Sequence, residues 1–183
     1  MKRCSWVDEN NVLYVRYHDN EWGKPIHDDR LLFEMLQLEG FQAGLSWLTI
    51  LKKRAAFQLA FDNFDAHKIV AYDEKKIAEL LQNTQIIRSR TKIMATITNA
   101  RIFLQIQQKY GSFNNYIWHW TNGQTLRYNI FPPHTKNELS SLIANDLKKH
   151  GMKYVGNTII YSYLQAIGVI NDHEPNCFCV SKT

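Results

Sequence analysis

The sequence predicts an all-α fold, one compact unit over residues 1–183, on three observations. Apolar residues recur at helical spacing in segment after segment, with nothing alternating in the manner of a strand. Most of these segments open on a good N-cap residue or close on a glycine. No repeat, low-complexity tract or linker divides the chain.

Leu31, Leu32, Met35, Leu36 and Leu38 lie between Asp28 and Gly40, which predicts a helix from about residue 29 to 39. Behind Ser46, the positions Trp47, Ile50, Leu51, Phe57 and Phe61 mark a second helix. Asp73 opens a short helix carrying Ile77, Leu80 and Leu81. Ile93, Ile97, Ala100 and Leu104 mark a longer one that ends near Gly111. From Phe113 to Pro133 the pattern degrades into aromatics, Asn122-Gly123 and Pro132-Pro133, the composition of a short helix followed by a surface loop. Thr135 with Glu138 forms a capping box ahead of Leu139, Leu142, Ile143 and Leu147, so a helix is expected to about His150, stopped by Gly151. A last helix runs from about Val155 to Ile167.

With 183 residues, 45% of them hydrophobic, the chain is long enough for a single full-sized domain or for two small helical lobes sharing a core. Its most apolar stretch, Val155 to Ile170, is interrupted by Asn157, Thr158, Ser162 and Gln165 and falls short of a membrane span. The charged N-terminus is followed by no apolar region, which argues against a secretory signal and for a cytoplasmic location. Three cysteines, an odd count, argue against a disulfide framework and for metal binding or inert burial. The net charge of +5 suits a polyanionic partner. Lys52-Lys53-Arg54, Arg88-Ser89-Arg90-Thr91-Lys92 and Lys148-Lys149 with Lys153 cluster at predicted helix ends, although solvated helix faces explain such clusters equally well. Nothing points to a protein partner, and a monomer is expected.

Cys4 and His18 near one end, with His173 and Cys177 near the other, make up a two-thiolate, two-imidazole set of the kind that binds zinc tetrahedrally. Three residues separate His173 from Cys177, so both side chains converge from a helical turn or a tight loop, and Pro175 favours the loop. A closed set of this kind has no open position for water, and it would tie the two ends of the chain together. Unrelated Cys and His residues remain the alternative, and Cys179 competes with Cys177 for the fourth position.

The segment 148–158 joins two predicted helices through a turn bracketed by Gly151 and Gly156, with Lys153 between them. Such a turn either presents backbone N–H groups to a phosphate, whatever the base sequence, or is simply a connection. In the first fifty residues Trp6, Tyr14, Tyr17, Trp22 and Trp47 surround Glu39, which falls at the end of a leucine-rich helix. A helix dipole disfavours a carboxylate there, so Glu39 either points to water or is held for a purpose. Stacking faces and one carboxylate suit a flipped purine, above all a cationic one.

Cys4-Ser5-Trp6, Tyr17-His18-Asp19-Asn20-Glu21-Trp22-Gly23, Leu38 through Trp47, and Asn171-Asp172-His173 through Cys177 resemble the corresponding segments of the bacterial 3-methyladenine DNA glycosylase I family. The resemblance covers nearly the whole chain and is thinnest from about Phe113 to His134. It implies a helix-hairpin-helix DNA glycosylase fold, excision of 3-methyladenine from alkylated double-stranded DNA, and one structural zinc on Cys4, His18, His173 and Cys177. It also implies that Glu39 and Tyr17 hydrogen-bond the damaged base and that Trp47 stacks on it, with Trp6, Tyr14 and Trp22 lining the rest of the pocket. Leu45 would be the wedge that replaces the flipped nucleotide, and Gln42, Gly151, Lys153 and Gly156 would add DNA contacts. Where relatives often have glutamine this chain has Phe41, a change expected to bear on DNA contacts. Many members of the superfamily place a catalytic aspartate after the hairpin; the candidate here, Asp172, adjoins a zinc ligand and is expected to be held away from the sugar. No lysine stands where bifunctional relatives form a Schiff base, so a simple hydrolase is expected.

Two rivals remain at this point. A non-catalytic helix-hairpin-helix module would need only the basic clusters and the turn, with the aromatics as core. A broader alkylpurine glycosylase would need room for larger or neutral lesions.

Overall fold

The computed structural model describes residues 1–128 and 134–180. Among them strand-type pairing is confined to the bridge between Leu126 and Ile170, and the rest of the regular structure is helical. Helix α1 (Val12–Asn20) starts at Asn11, whose side chain accepts from the N–H groups of Leu13 and Tyr14. The sequence reading contains no such helix, because its buried residues are only Tyr17 and His18 while Val12 and Leu13 face water, and an apolar period never develops.

Helix α2 (Asp29–Gln42), capped by Asp28, is the central element: every residue from Leu32 to Phe41 is buried. It does not stop at Gly40. A Cβ there would come within 3.3 Å of the Cβ of Tyr154, so this glycine permits a close helix approach rather than a turn. Phe41 packs into the core at 4.6 Å from the ring of Phe57, so its side chain does not face the surface. Ser46 caps α3 (Trp47–Ala60), and a left-handed turn at Asp62–Phe64 leads through α4 (Ala66–Ile69) to α5 (Glu74–Gln82), capped by Asp73 as expected. The long α6 (Arg90–Tyr110) ends at Gly111, whose φ of 83° belongs to the left-handed region. Short α7 (Phe113–Trp118) follows; Pro132-Pro133 of the predicted loop lie outside the described residues.

Helix α8 (Glu138–Lys149) has its capping box two residues later than expected. The side chain of Asn137 accepts from the N–H of Ser140, and the Ser140 hydroxyl accepts from the N–H of Asn137. Glu138 thereby becomes the first helical residue, where the dipole favours a carboxylate. Helix α9 (Asn157–Ala166) starts after Gly156, because Val155 is turned into the core as an anchor. Helix α9 packs on α8 and α2, and the Tyr163 hydroxyl donates to the carbonyl of Leu32 at 3.1 Å.

The two ends of the chain are laced together. The N–H of Gly23 reaches the carbonyl of Gln165, that of Ile26 reaches Ile167, and that of Phe178 reaches Lys2, each at 2.9 to 3.0 Å. Gly168 lies so close to the carbonyl of Lys24 that a Cβ would sit 2.2 Å from its carbon. This lacing sets α1, the C-terminal turn of α2, the start of α3 and α9 around one cleft.

Candidate active site and metal centre

The cleft has a volume of about 280 Å³, at the small end for ligand sites, and its walls divide by origin. One wall carries Trp6, Tyr17 and Trp22 with Glu39 and Gln42 of α2 and Trp47 of α3. The rings of Tyr17 and Trp47 lie 5.4 Å apart and those of Trp6 and Trp22 5.1 Å apart, tilted or edge-on, so faces remain open to the cavity. Tyr14 is not in this wall; it braces Trp6 from the side, ring to ring at 5.7 Å. Gln42, expected to contact DNA, lines the cavity beside Glu39.

Glu39 is 3% exposed, in the last turn of α2, and its Oε2 has no hydrogen-bond partner. Burial pushes its carboxyl up to about 8, so the cleft holds a neutral acid at pH 7. Burial, then the neighbouring Glu39 and Glu21, likewise keeps the Tyr17 phenol protonated. The Trp47 Nε1 donor is also buried without a partner. Buried polar groups are rarely left so, and two of them on one small aromatic cavity describe a site completed by a ligand with its own donors and acceptors.

The opposite wall belongs to α9 and was not among the expected site residues: Thr158, Tyr161, Ser162 and Gln165 line it. Its signal was in the sequence, since Thr158, Ser162 and Gln165 fall four and then three residues apart and share one face of an otherwise apolar helix. Asp172 is not in the wall; its Oδ2 accepts from the Tyr161 hydroxyl at 2.6 Å and from Gln165 Nε2 at 2.8 Å, which fixes both side chains.

Behind Trp22 lies the thiol–imidazole cluster. The ligand atoms of Cys4, His18, His173 and Cys177 lie within 4.8 Å of one another, and all four residues are buried. Their surroundings suit a metal. His18 Nδ1 is held by Asp19 at 2.7 Å and His173 Nδ1 by Asn171 at 2.9 Å, which leaves each Nε2 for the cluster, and that of His173 is buried with no partner. Burial, with His18 adding to it, pushes the His173 imidazolium down to about 4, so the ring is in its ligand form at pH 7. Backbone N–H groups point at the sulfurs, from Glu174 to Cys4 at 3.3 Å and from Cys179 to Cys177 at 3.4 Å. Cys179 groups with His18 and Asp19 rather than with the four.

Leu45 stands exposed in the turn between α2 and α3, after Gly44 at a φ of 82°. On the connection between α8 and α9, Lys153 is exposed and Gly151 takes a φ of 97°. The N–H groups of Gly151, Met152 and Lys153 are already engaged, with Lys148 O, Leu147 O and Asn99 Oδ1. Of this turn only the amides from Tyr154 to Gly156 are left for a phosphate, a narrower set than the two glycines imply.

Fold and cleft together define a helical protein with a small cavity walled by aromatic rings and a buried carboxyl. The methyladenine glycosylase family model matches residues 6–180, and the chain belongs to that family. It is 45% identical over 182 residues to DNA-3-methyladenine glycosylase 1 of Escherichia coli strain K12, covering 98% of this chain and 97% of the other. A crystal structure of 3-methyladenine DNA glycosylase I superimposes with a TM-score of 0.93 at 48% identity, over 97% of this chain and 99% of that one. A Staphylococcus aureus 3-methyladenine DNA glycosylase I, from a study of 3-methyladenine recognition, gives 0.92 at 34% identity, over 97% and 95% of the two chains. Among the described residues no helix is long and apolar enough to cross a membrane.

Proposed function

We propose that this protein excises 3-methyladenine from alkylated double-stranded DNA by hydrolysing the N-glycosidic bond. The observation that carries the reading is the buried Glu39 carboxyl, its Oε2 unpartnered, on a small cleft walled by Trp6, Tyr17, Trp22 and Trp47. Methylation at N3 gives adenine a positive charge. A cation entering between electron-rich rings meets a carboxyl that ionises to receive it, while Tyr17, protonated, donates or accepts at the base edge. The C1′–N9 bond breaks with its electron pair passing to the base, which leaves as neutral 3-methyladenine; water adds its hydroxyl to C1′ and releases a proton. Because the leaving group is already activated, no strong acid is needed, and Glu39 acts by selection and charge stabilisation.

The flipped base would stack on Trp47, with Leu45 filling the gap in the duplex. The connection 150–156 between α8 and α9 serves as the hairpin of a helix-hairpin-helix element, giving phosphate contacts through its last amides and the Lys153 ammonium. Cys4, His18, His173 and Cys177 would hold one zinc ion, whose closed coordination supplies cross-linking and no activated water. We read residues 1–183 as one domain, acting as a monomer on DNA in the cytoplasm. The test is to incubate the protein with methylated DNA and separate the released bases by chromatography: 3-methyladenine is expected, and its absence sinks the proposal.

A further inference from the structure

The basic run Arg88-Ser89-Arg90-Thr91-Lys92 around the start of α6 looks like a surface for DNA phosphates, but Lys92 is turned the other way. Its Nζ donates to the carbonyl of Phe41 and to that of Ala43, both at 2.7 Å, and lies 5.8 Å from the ring centroid of Tyr154. Those carbonyls belong to the C-terminal end of α2, where helix geometry leaves acceptors without partners and the dipole is negative, and where α2 has no basic residue of its own. One ammonium from a third helix therefore ties together the turn that carries Leu45 and the connection that carries Lys153. Little else holds that turn. Leu45 is exposed, a Cβ on Gly44 would have nothing within 4 Å, and the local backbone bonds are from Leu45 N to Gln42 O at 2.6 Å and a long one from Ala43 N to Gly40 O at 3.4 Å. Seven residues further along α6, Asn99 does the matching work for the hairpin: it donates to Lys153 O at 3.0 Å, accepts from Lys153 N at 2.8 Å and reaches Gln37 of α2 at 3.1 Å.

We propose that Lys92 is a positioning residue that fastens the Leu45 turn to α6 and to Tyr154, so that Leu45 stands ready before a nucleotide is extruded, and that its ammonium does not bind phosphate. The inference rests on the reading of the protein as a base-flipping glycosylase with Leu45 as its wedge. Loss of two charge-assisted hydrogen bonds frees the turn to move, and the cost appears where a stacked base must be replaced.

The experiment compares wild type with Lys92→Met on duplex and single-stranded oligonucleotides carrying 3-methyladenine. About a tenfold loss of single-turnover rate is expected on the duplex, with little on the single strand. The salt dependence of binding to undamaged duplex should keep its slope, and the loss should not add to that of Leu45→Gly. A salt slope shallower by about one, with additive losses equal on both substrates, would make Lys92 a phosphate contact and overturn the inference. A measurement on wild type alone guards against misfolding of the variant. Lys92 should resist an amine-reactive reagent equally with and without DNA, whereas exposed Lys153 becomes protected only when DNA is bound; protection of Lys92 only by DNA overturns the inference. Wild type that releases no 3-methyladenine from either substrate defeats the underlying reading instead.

Discussion

The indole of Trp22 lies 4.7 Å from the imidazole of His173, so the cleft and the thiol–imidazole cluster share a wall. The same indole stacks on His18 at 6.2 Å and meets Trp6 edge-on. Protein purified without added metal is therefore expected to carry about one zinc per chain. Chelation should lower its thermal midpoint and shift its tryptophan fluorescence together. Cys4→Ala and Cys177→Ser should lose the metal and Cys179→Ser keep it. Metal analysis far below one equivalent, or loss on Cys179→Ser alone, would count against this ligand set.

Glu39 makes stability and activity run in opposite directions with pH. Its carboxyl ionises near 4.5 when free and near 8 in the folded protein. Between those values the folded state keeps a proton that the unfolded chain gives up, so the contribution of Glu39 to stability falls as pH rises across that window. Glu39→Gln removes the effect, and at pH 8 the variant is expected to be more stable than wild type by a few kcal/mol in urea unfolding. Activity on the cationic base needs the carboxylate, so kcat/KM in wild type should climb with pH to a plateau above about 8. The glutamine variant should show a flat profile lowered by about 10- to 100-fold, the worth of a hydrogen bond to a charged group. A flat wild-type profile would remove Glu39 ionisation from the mechanism.

Selection by charge predicts that hypoxanthine, a neutral lesion whose departure needs leaving-group protonation, is scarcely released. Single-turnover rates on matched oligonucleotides decide the matter. Comparable rates for hypoxanthine and 3-methyladenine would favour a general-acid enzyme of wider range.

Lys153 is exposed on the connection between α8 and α9 and should act as a sequence-independent charge. Lys153→Glu is expected to weaken binding to every duplex about equally and to flatten its salt dependence. A changed base preference in that variant would contradict a backbone role. Leu45→Gly should impair excision from duplex more than from single strands; equal losses would dispose of the wedge.

What the sequence displayed, and what it hid, follows from which forces are local. Caps such as Asp28, Ser46 and Asp73 and the apolar stripes of α2, α5 and α6 act within a few residues, and those helices were legible. Gly40 was misread as a stop because its reason, the nearby Tyr154, lies more than a hundred residues away. The aromatic wall and the Cys and His set were legible through the rarity of their residue types. The α9 wall shows in the sequence only as a polar stripe on a helix, since Thr158, Ser162 and Gln165 are ordinary residues whose meaning comes from lining the same cleft as Glu39. Tyr14 looked like its aromatic neighbours, and only packing shows that it supports Trp6.

The cluster also fixes when the cleft can be finished. Cys177 Sγ meets His18 Nε2 across 159 positions, and Glu174 N meets Cys4 Sγ across 170. Contacts so remote form late in folding, and a chain emerging from the ribosome presents its N-terminal part first. Trp22, and Trp6 through it, are thus secured by a residue that comes far later in the chain. Glu39, Trp47 and the turns that carry Leu45 and Lys153 do not depend on these contacts, but the wall carrying Trp6 and Trp22 leans on His173 and, through His18, on Cys177.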